Sequence, residues 1–321
     1  MTQVKINTAF AQDTRKGLSA TPKYLSSKYF YDDRGSELFQ NIMHMPEYYL
    51  TDCEFEIFNQ QKDPIGQAIT QDNSAFDLIE LGAGDGYKTK VLIEHLLNQN
   101  ASFKYIPIDI SERAIDNLVS EFNKRLPLLA INEKIGDYFK VMQEMNAHDH
   151  RRKVILFLGS NIGNFTAKDS LNFFQQLAAV MNERDSVFIG FDLKKDPHII
   201  SKAYDDPHGY TRDFNLNLLL RINNELGGNF DLDQFMHYQL YEPREGVSKS
   251  YLMSRKKQTV TISELEQSFT FDEWEPIFME MSQKYDTNMI QKFAAASGFK
   301  VVDNFYDSRT YFVNSLWQLD V

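Results

Sequence analysis

The spacing of hydrophobic positions changes character twice along the chain. Residues 1–70 carry apolar positions mostly at helical spacing, with aromatics bunched at 28–31 and 45–49. Pro46 stops any helix there. Positions 51–69 return to a helical stripe. From residue 76 short apolar runs alternate with helical faces. The runs at 76–81, 105–110, 154–158 and 187–193 read as strands. Between them, 88–97 has helical spacing. So do Ile115, Leu118, Val119 and Phe122, and then Leu171, Phe174, Leu177 and Met181. Ser111 is placed to cap the second of these helices. Such alternation predicts a parallel sheet covered on both faces, a doubly wound α/β fold. Ligands in such sheets bind beyond the carboxyl ends of the strands. Gly82, Asp109, Ser160 and Asp192 all fall at those ends.

The alternation stops near Asp196. Phe214, Leu218 and Ile222 predict a helix closed by Gly227 and Gly228. Extended runs follow at 235–241 and 250–254, with Glu245 and Gly246 between them as a hairpin turn. From Asp286 the first pattern resumes. A helix carrying Ile290 and Phe293 ends at Gly298, and strands at 301–305 and 311–319 close the sheet. The expected organisation is therefore residues 71–196 with 286–321 as a nucleotide-binding domain. Residues 1–70 with 197–285 form a second α+β lobe, made of an insertion plus the N-terminal segment.

Composition narrows the function more than the fold. The chain has 321 residues, 42% hydrophobic and 25% charged, with a formal net charge of −11. That balance argues against gripping nucleic acid or anionic lipid, both of which need basic surface. No apolar run is long enough to span a bilayer and the N-terminus does not read as a signal peptide, so a cytoplasmic location is expected. Cys53 is the sole cysteine, which excludes an internal disulfide and reads as a packed thiol.

The first strand ends in Glu80, Leu81, Gly82, Ala83, Gly84, Asp85 and Gly86. Glycines there let a ligand approach the backbone closely. Their spacing is tighter than the dinucleotide fingerprint Gly-x-Gly-x-x-Gly, which cradles a pyrophosphate. S-adenosylmethionine has none, and an acid before the loop, here Glu80, suits its cation. Asp109 ends the next strand, where a carboxylate accepts from both ribose hydroxyls. Asp137, beside Tyr138, is placed to read an adenine amine while the ring packs the base, although Gly-Asp is also a common turn pair. Ser160 joins this set by its position. Taken alone, 82–86 also fits an ordinary strand-to-helix turn. A sheet closed by a hairpin suits a Rossmann-like methyltransferase better than a nicotinamide dehydrogenase.

The most distinctive stretches lie elsewhere. They are Lys28-Tyr-Phe-Tyr-Asp-Asp-Arg-Gly-Ser-Glu-Leu-Phe39, Met45-Pro-Glu-Tyr-Tyr49, Leu158-Gly-Ser-Asn-Ile-Gly-Asn-Phe165, Ala203-Tyr-Asp-Asp206, Phe214-Asn-Leu-Asn217 and Phe230-Asp-Leu-Asp233. Together, over nearly the whole chain and in order, they resemble the histidine Nα-methyltransferases of ergothioneine biosynthesis. The resemblance implies transfer of three methyl groups to the α-amine of L-histidine, giving hergynine. It matches Gly82, Lys88, Asp109, Asp137 and Tyr138 to cofactor residues. Tyr48, Asn164 and Tyr204 match residues that hold the amino acid backbone, and Tyr31 matches the tyrosine beside the amine. Glu280 and Ser282 match the pair that grips the imidazole. Physically, a tyrosine ring tolerates a growing ammonium. Hydrogen-bonding groups around an imidazole reject analogues that leave them unpaired.

One position departs from the family. Where it carries methionine in a Met-x-Leu pattern facing the acceptor, this chain has Ser250-Tyr251-Leu252. A serine enlarges or wets that pocket, so another amino acid, such as tryptophan or a derivative, stays open as acceptor. A non-catalytic S-adenosylmethionine-binding module is the further alternative. His148, Asp149 and His150 precede Arg151, Arg152 and Lys153 and read as a charged loop rather than a metal site. Lys194 and Lys195 read as solvated. The expected partner is a small amino acid, with no nucleic acid, membrane or metal, and the expected state is a monomer.

Overall fold

The computed structural model describes residues 8–71, 74–148 and 151–321, with side chains described for all of these but 146–148. The expected loop at His148, Asp149 and His150 lies outside the described side chains. The chain forms two compact units, each built from two stretches: Leu50–Lys194 with Gln283–Val321, and Met1–Tyr49 with Lys195–Ser282.

The first unit holds a seven-stranded sheet. Its strands are β1 (Phe76–Leu81), β2 (Phe103–Asp109), β3 (Lys134–Ile135), β4 (Arg152–Phe157), β5 (Ser186–Asp192), β6 (Phe299–Tyr306) and β7 (Phe312–Leu319). The spatial order is β6-β7-β5-β4-β1-β2-β3. Strands β1 to β5 pair in parallel, while β7 runs antiparallel to both β5 and β6. Every residue of β1, β4 and β5 is buried, as a sheet with helices on both faces requires. This is a Rossmann-like α/β fold. Strand order reverses between β1 and β4, so the ligand crevice belongs at the carboxyl ends of those strands. Helix Glu112–Arg125 is capped as anticipated, with Ser111 Oγ accepting from the Ala114 N–H at 3.2 Å.

The second unit has its own core, in which Phe10, Leu18, Phe30 and Ile42 pack with Phe214, Leu218, Leu252 and Met279. Its main sheet runs Lys23–Tyr24, Pro276–Gln283, Val247–Ser254 and Phe235–Glu242. The first two pair in parallel and the last two form the hairpin expected around Gly246. Helix Tyr210–Leu226 ends at Gly227 in the left-handed region, as anticipated.

Three features differ from expectation. Helix Tyr49–Thr70, assigned to the lobe from its sequence, packs from Leu50 onward with the seven-stranded sheet. Phe58 meets Phe188, and Arg152 Nη1 donates to the Ile69 carbonyl at 2.6 Å. Helical periodicity marks an apolar face but not the core it joins. Pro64 lies inside this helix, and Gln61 leaves helical geometry three residues earlier. Strands Gln258–Ile262, Gln267–Phe271 and Pro276–Gln283 were not anticipated, because their patterns are short and interrupted. Finally, the helix Tyr138–His148 that follows Asp137 was not anticipated.

Among the described residues no helix is long and apolar enough to cross a membrane.

Candidate active site

Glycine places the loop after β1. Gly82, Gly84 and Gly86 have φ of +70°, +55° and +64°, a region costly for residues with a Cβ. Two of them differ in what lies beside them. A Cβ on Gly86 would stand 2.8 Å from Phe122 Cζ, so the loop is pressed against helix Glu112–Arg125. A Cβ on Gly84 would meet nothing within 4 Å, so the loop is open where a ligand must approach. Asp109 reaches over from β2. Its Oδ2 accepts from the Gly84 N–H at 3.2 Å and its Oδ1 from the Ser111 N–H at 2.9 Å. The carboxylate is half-buried beside the open face of the loop. A small ligand carrying ribose hydroxyls fits this arrangement, because the remaining lone pairs of Asp109 accept from them.

Glu80 has a different environment from the one expected. It is buried, and its carboxylate accepts from Thr89 Oγ1 and Tyr105 Oη, each at 2.5 Å. Burial pushes its pKa up to about 7, against the lowering pull of those two hydroxyls. Glu80 thus ties β1 to β2 and to helix Thr89–Asn98, and is not an acid exposed to the cofactor's cation. Ser160 likewise turns inward. It is buried at a φ of +55°, and its Oγ accepts from the Asp192 N–H at 2.9 Å. Asp137 Oδ1 accepts from the N–H groups of Phe139 and Lys140, each at 3.1 Å, so that oxygen caps a helix. The Tyr138 ring packs against Phe157 and Phe173, and burial pushes its hydroxyl up to about 12.

Lys88 pairs with Glu54, a fully buried carboxylate on helix Tyr49–Thr70. Glu54 also accepts from the Gly159 N–H at 2.9 Å and from Asn314 Nδ2 at 2.8 Å. Sequence reading missed Glu54, since an acid in an amphipathic helix, here one of four, ordinarily faces water. Its signal was Gly190, a glycine inside a strand, where a Cβ would stand 2.5 Å from Glu54 Oε1. Lys284 and Asp192 form a fully buried pair at 2.7 Å. Asn164 stands in the turn after β4, half-buried, and Tyr285 Oη donates to the Ile162 carbonyl of that turn at 3.1 Å.

The second unit gathers Tyr31, Tyr48, Tyr204, Ser250, Glu280 and Ser282. Tyr48 meets Tyr204 edge-on at 6.4 Å and Phe39 at the same distance. Tyr31 is 39% exposed, with its ring against Phe39 and Phe214. Tyr204 Oη donates to Ser282 Oγ at 2.9 Å. Glu280 lies two residues before Ser282 on the same strand, the period that puts side chains on one face. Ser250 is buried and pairs across the hairpin with Gln239. Asn164 belongs to the other unit, so these residues do not form one set within either.

His237 was not anticipated. Its Nε2 lies 3.0 Å from the Tyr204 carbonyl. A carbonyl only accepts, so Nε2 carries the proton and Nδ1 is the acceptor. Nδ1 is buried without a hydrogen-bond partner among the described residues, and burial lowers the pKa of the ring.

Other expectations on charged groups resolve simply. Lys194 pairs with Asp286 at 2.8 Å, and Lys195 donates to Tyr49 Oη at 2.9 Å while lying over its ring. Neither is merely solvated. Cys53 is buried, and burial together with nearby Asp307 pushes its thiol up to about 12. Among the described residues no cluster of His, Cys, Asp or Glu is arranged to hold a metal.

A family model described as "Histidine-specific methyltransferase, SAM-dependent" matches residues 10–319. The chain is 34% identical over 290 residues to the histidine N-alpha-methyltransferase of Mycobacterium tuberculosis, covering 90% of this chain and 88% of that protein. It is 34% identical over 289 residues to the enzyme of the same name from Mycolicibacterium smegmatis, with the same coverage. Identity to ergothioneine biosynthesis protein 1 of Schizosaccharomyces pombe is 27% over 287 residues, covering 88% of this chain and 37% of that longer protein. The loop that suits S-adenosylmethionine, the sheet that carries it and a match across almost the full length together place this chain in the family of S-adenosylmethionine-dependent, histidine-specific methyltransferases.

Proposed function

We propose that this enzyme transfers three methyl groups, one at a time, from S-adenosylmethionine to the α-amino nitrogen of L-histidine, giving hergynine. The observation that carries the reading is the Tyr204–Ser282 hydrogen bond, with Glu280 two residues away on the same strand. A serine hydroxyl and a carboxylate serve the two nitrogens of an imidazole: the carboxylate accepts its N–H, and the hydroxyl donates to the other nitrogen. The unit built on the seven-stranded sheet takes the cofactor, held by Asp109 and the Gly82–Gly84 backbone with Lys88 beside them. The other unit takes the amino acid.

When bound, the cofactor supplies an electrophilic methyl group on a sulfonium. The residues of this chain do the rest. Tyr48 and Tyr204 hold the amino acid backbone. Tyr31 would orient the neutral amine so that its lone pair is free to take the methyl group that the bound cofactor would supply. Each of the first two transfers releases one proton from nitrogen, passed by the Tyr31 hydroxyl to water. Positioning of this kind carries much of the barrier reduction in a displacement reaction. Aromatic faces attract the resulting ammonium by about 0.5–2 kcal/mol. The enzyme acts as a monomer in the cytoplasm on this reading.

The test is mass spectrometry of L-histidine incubated with S-adenosylmethionine and enzyme. The expected product is heavier by three methyl groups. Unmodified histidine alongside methylation of another amino acid removes this acceptor and keeps the chemistry. Ser250 is the one observation that favours a second reading, a bulkier aromatic amino acid as acceptor. Competition by tryptophan against histidine in the same assay separates the two.

A further inference from the structure

We infer that Glu54 is a positioning residue that sets the affinity for the cofactor by holding two loops of the crevice together from beneath. It stands in helix Tyr49–Thr70 and is fully buried, so it does not itself reach a ligand. Its Oε2 accepts from Lys88 Nζ, just past the glycine loop that follows β1, and from the Gly159 N–H, in the loop that follows β4. These two loops flank the point where strand order reverses. Its Oε1 is fixed from the other side by Asn314 Nδ2 on β7. The sheet makes room for the carboxylate at Gly190. A buried carboxylate with a cation and two N–H donors around it is held in one place, because each departure exposes an uncompensated charge. Lys88 and Gly159 are held with it, and a Cβ on Gly159 would already stand 3.5 Å from Lys88 Nζ.

The inference rests on the proposed placement of the cofactor over Gly82, Gly84 and Asp109, and the experiment separates the two. Glu54→Gln keeps the volume and an oxygen for Gly159. The Asn314 Oδ1, buried without a hydrogen-bond partner among the described residues, turns to accept from the new amide. What is lost is the charge that holds Lys88. Calorimetry with S-adenosylhomocysteine is expected to show Kd raised about tenfold or more. The KM for S-adenosylmethionine should rise in step, with KM for the amino acid within about twofold of the parent. Cofactor affinity within about twofold of the parent overturns the inference, as does a KM change confined to the amino acid. Asp109→Ala is the control. If it weakens S-adenosylhomocysteine and Glu54→Gln does not, only the Glu54 inference fails. If neither weakens it, the placement of the cofactor fails as well. Should Glu54→Gln not fold, Asn314→Ala carries the test, since it frees Oε1 and keeps the charge pair. Its expected Kd rise is about threefold, and an unchanged Kd overturns the inference.

Discussion

Glu80 holds a proton in the folded chain at pH values where an ordinary carboxyl has lost it. Burial moves it from 4.5 to about 7, although the Thr89 and Tyr105 hydroxyls and the Lys88 charge oppose the change. Below about pH 4.5 folded and unfolded chains are both protonated there, and above about 7 both are ionised. Between these limits the folded state binds more protons, so stability falls as pH rises through the window. At about 1.4 kcal/mol for each pH unit, the full displacement is on the order of 3 kcal/mol, most of it between pH 5 and 8. Glu80→Gln cannot ionise and keeps the shape. Urea unfolding of both proteins, followed by the fluorescence of buried Trp317, isolates the contribution as a difference. The parent should lose about 2–3 kcal/mol more than the variant between pH 5 and 8. Parallel pH dependence in the two proteins would refute the reasoning. It would mean that the two hydroxyls stabilise the carboxylate as well as water does.

Ser282→Ala removes the acceptor of the Tyr204 hydroxyl at 2.9 Å and the proposed contact to the imidazole. At about 1–3 kcal/mol, kcat/KM for histidine should fall roughly 5- to 150-fold with S-adenosylhomocysteine affinity unchanged. Equal losses on both ligands would sink that assignment. Gly86→Ala drives a methyl to 2.8 Å from Phe122 Cζ at a φ of +64°. Strain and overpacking together should cost about 2–4 kcal/mol, read as a lowered melting temperature, and a parental value contradicts it. Cys53, with its thiol near 12, should be inert to Ellman's reagent at pH 8 in the native protein and react readily in urea. Fast native labelling would show that the helix opens.

Most of the α/β unit was legible because period-two and period-3.6 patterns report which side of a strand or helix is buried. β4 and β5 carry the unbroken apolar runs Val154–Phe157 and Val187–Ile189, and β1 is apolar at four of its six positions around Asp77 and Glu80, which is what burial on both faces demands. The glycine loop and Asp109 were legible too, since their positions at strand ends follow from the topology. The directions in which side chains point were harder to read. Glu80 and Ser160 sit at the expected strand ends, but both turn inward to hydroxyls and a backbone N–H. A carboxylate's sequence position does not say whether a Thr nine residues on will satisfy it. Asp137 was recognised, yet an Asp two residues before free N–H groups caps a helix as readily as it reads a base. Glu54 was invisible because its partners Lys88, Gly159 and Asn314 lie 34, 105 and 260 residues away. Such a network exists only after the sheet has formed. His237 was lost in the ordinary alternation of an edge strand.

Each compact unit is assembled from two separated stretches of chain, and this sets a timetable for synthesis. The first 49 residues carry Phe10, Leu18, Phe30 and Ile42, whose core partners include Phe214, Leu252 and Met279. A ribosome adding about 5–20 residues per second takes roughly 10–50 s to travel from residue 49 to residue 282. Until residues 210–282 are made, those aromatic and aliphatic side chains lack the full set of strands and helix that will cover them. The other unit waits for its antiparallel closing strand, which comes last of all. Nascent chains of this protein should therefore be clients of a holding chaperone, and stalling near residue 200 should expose them most.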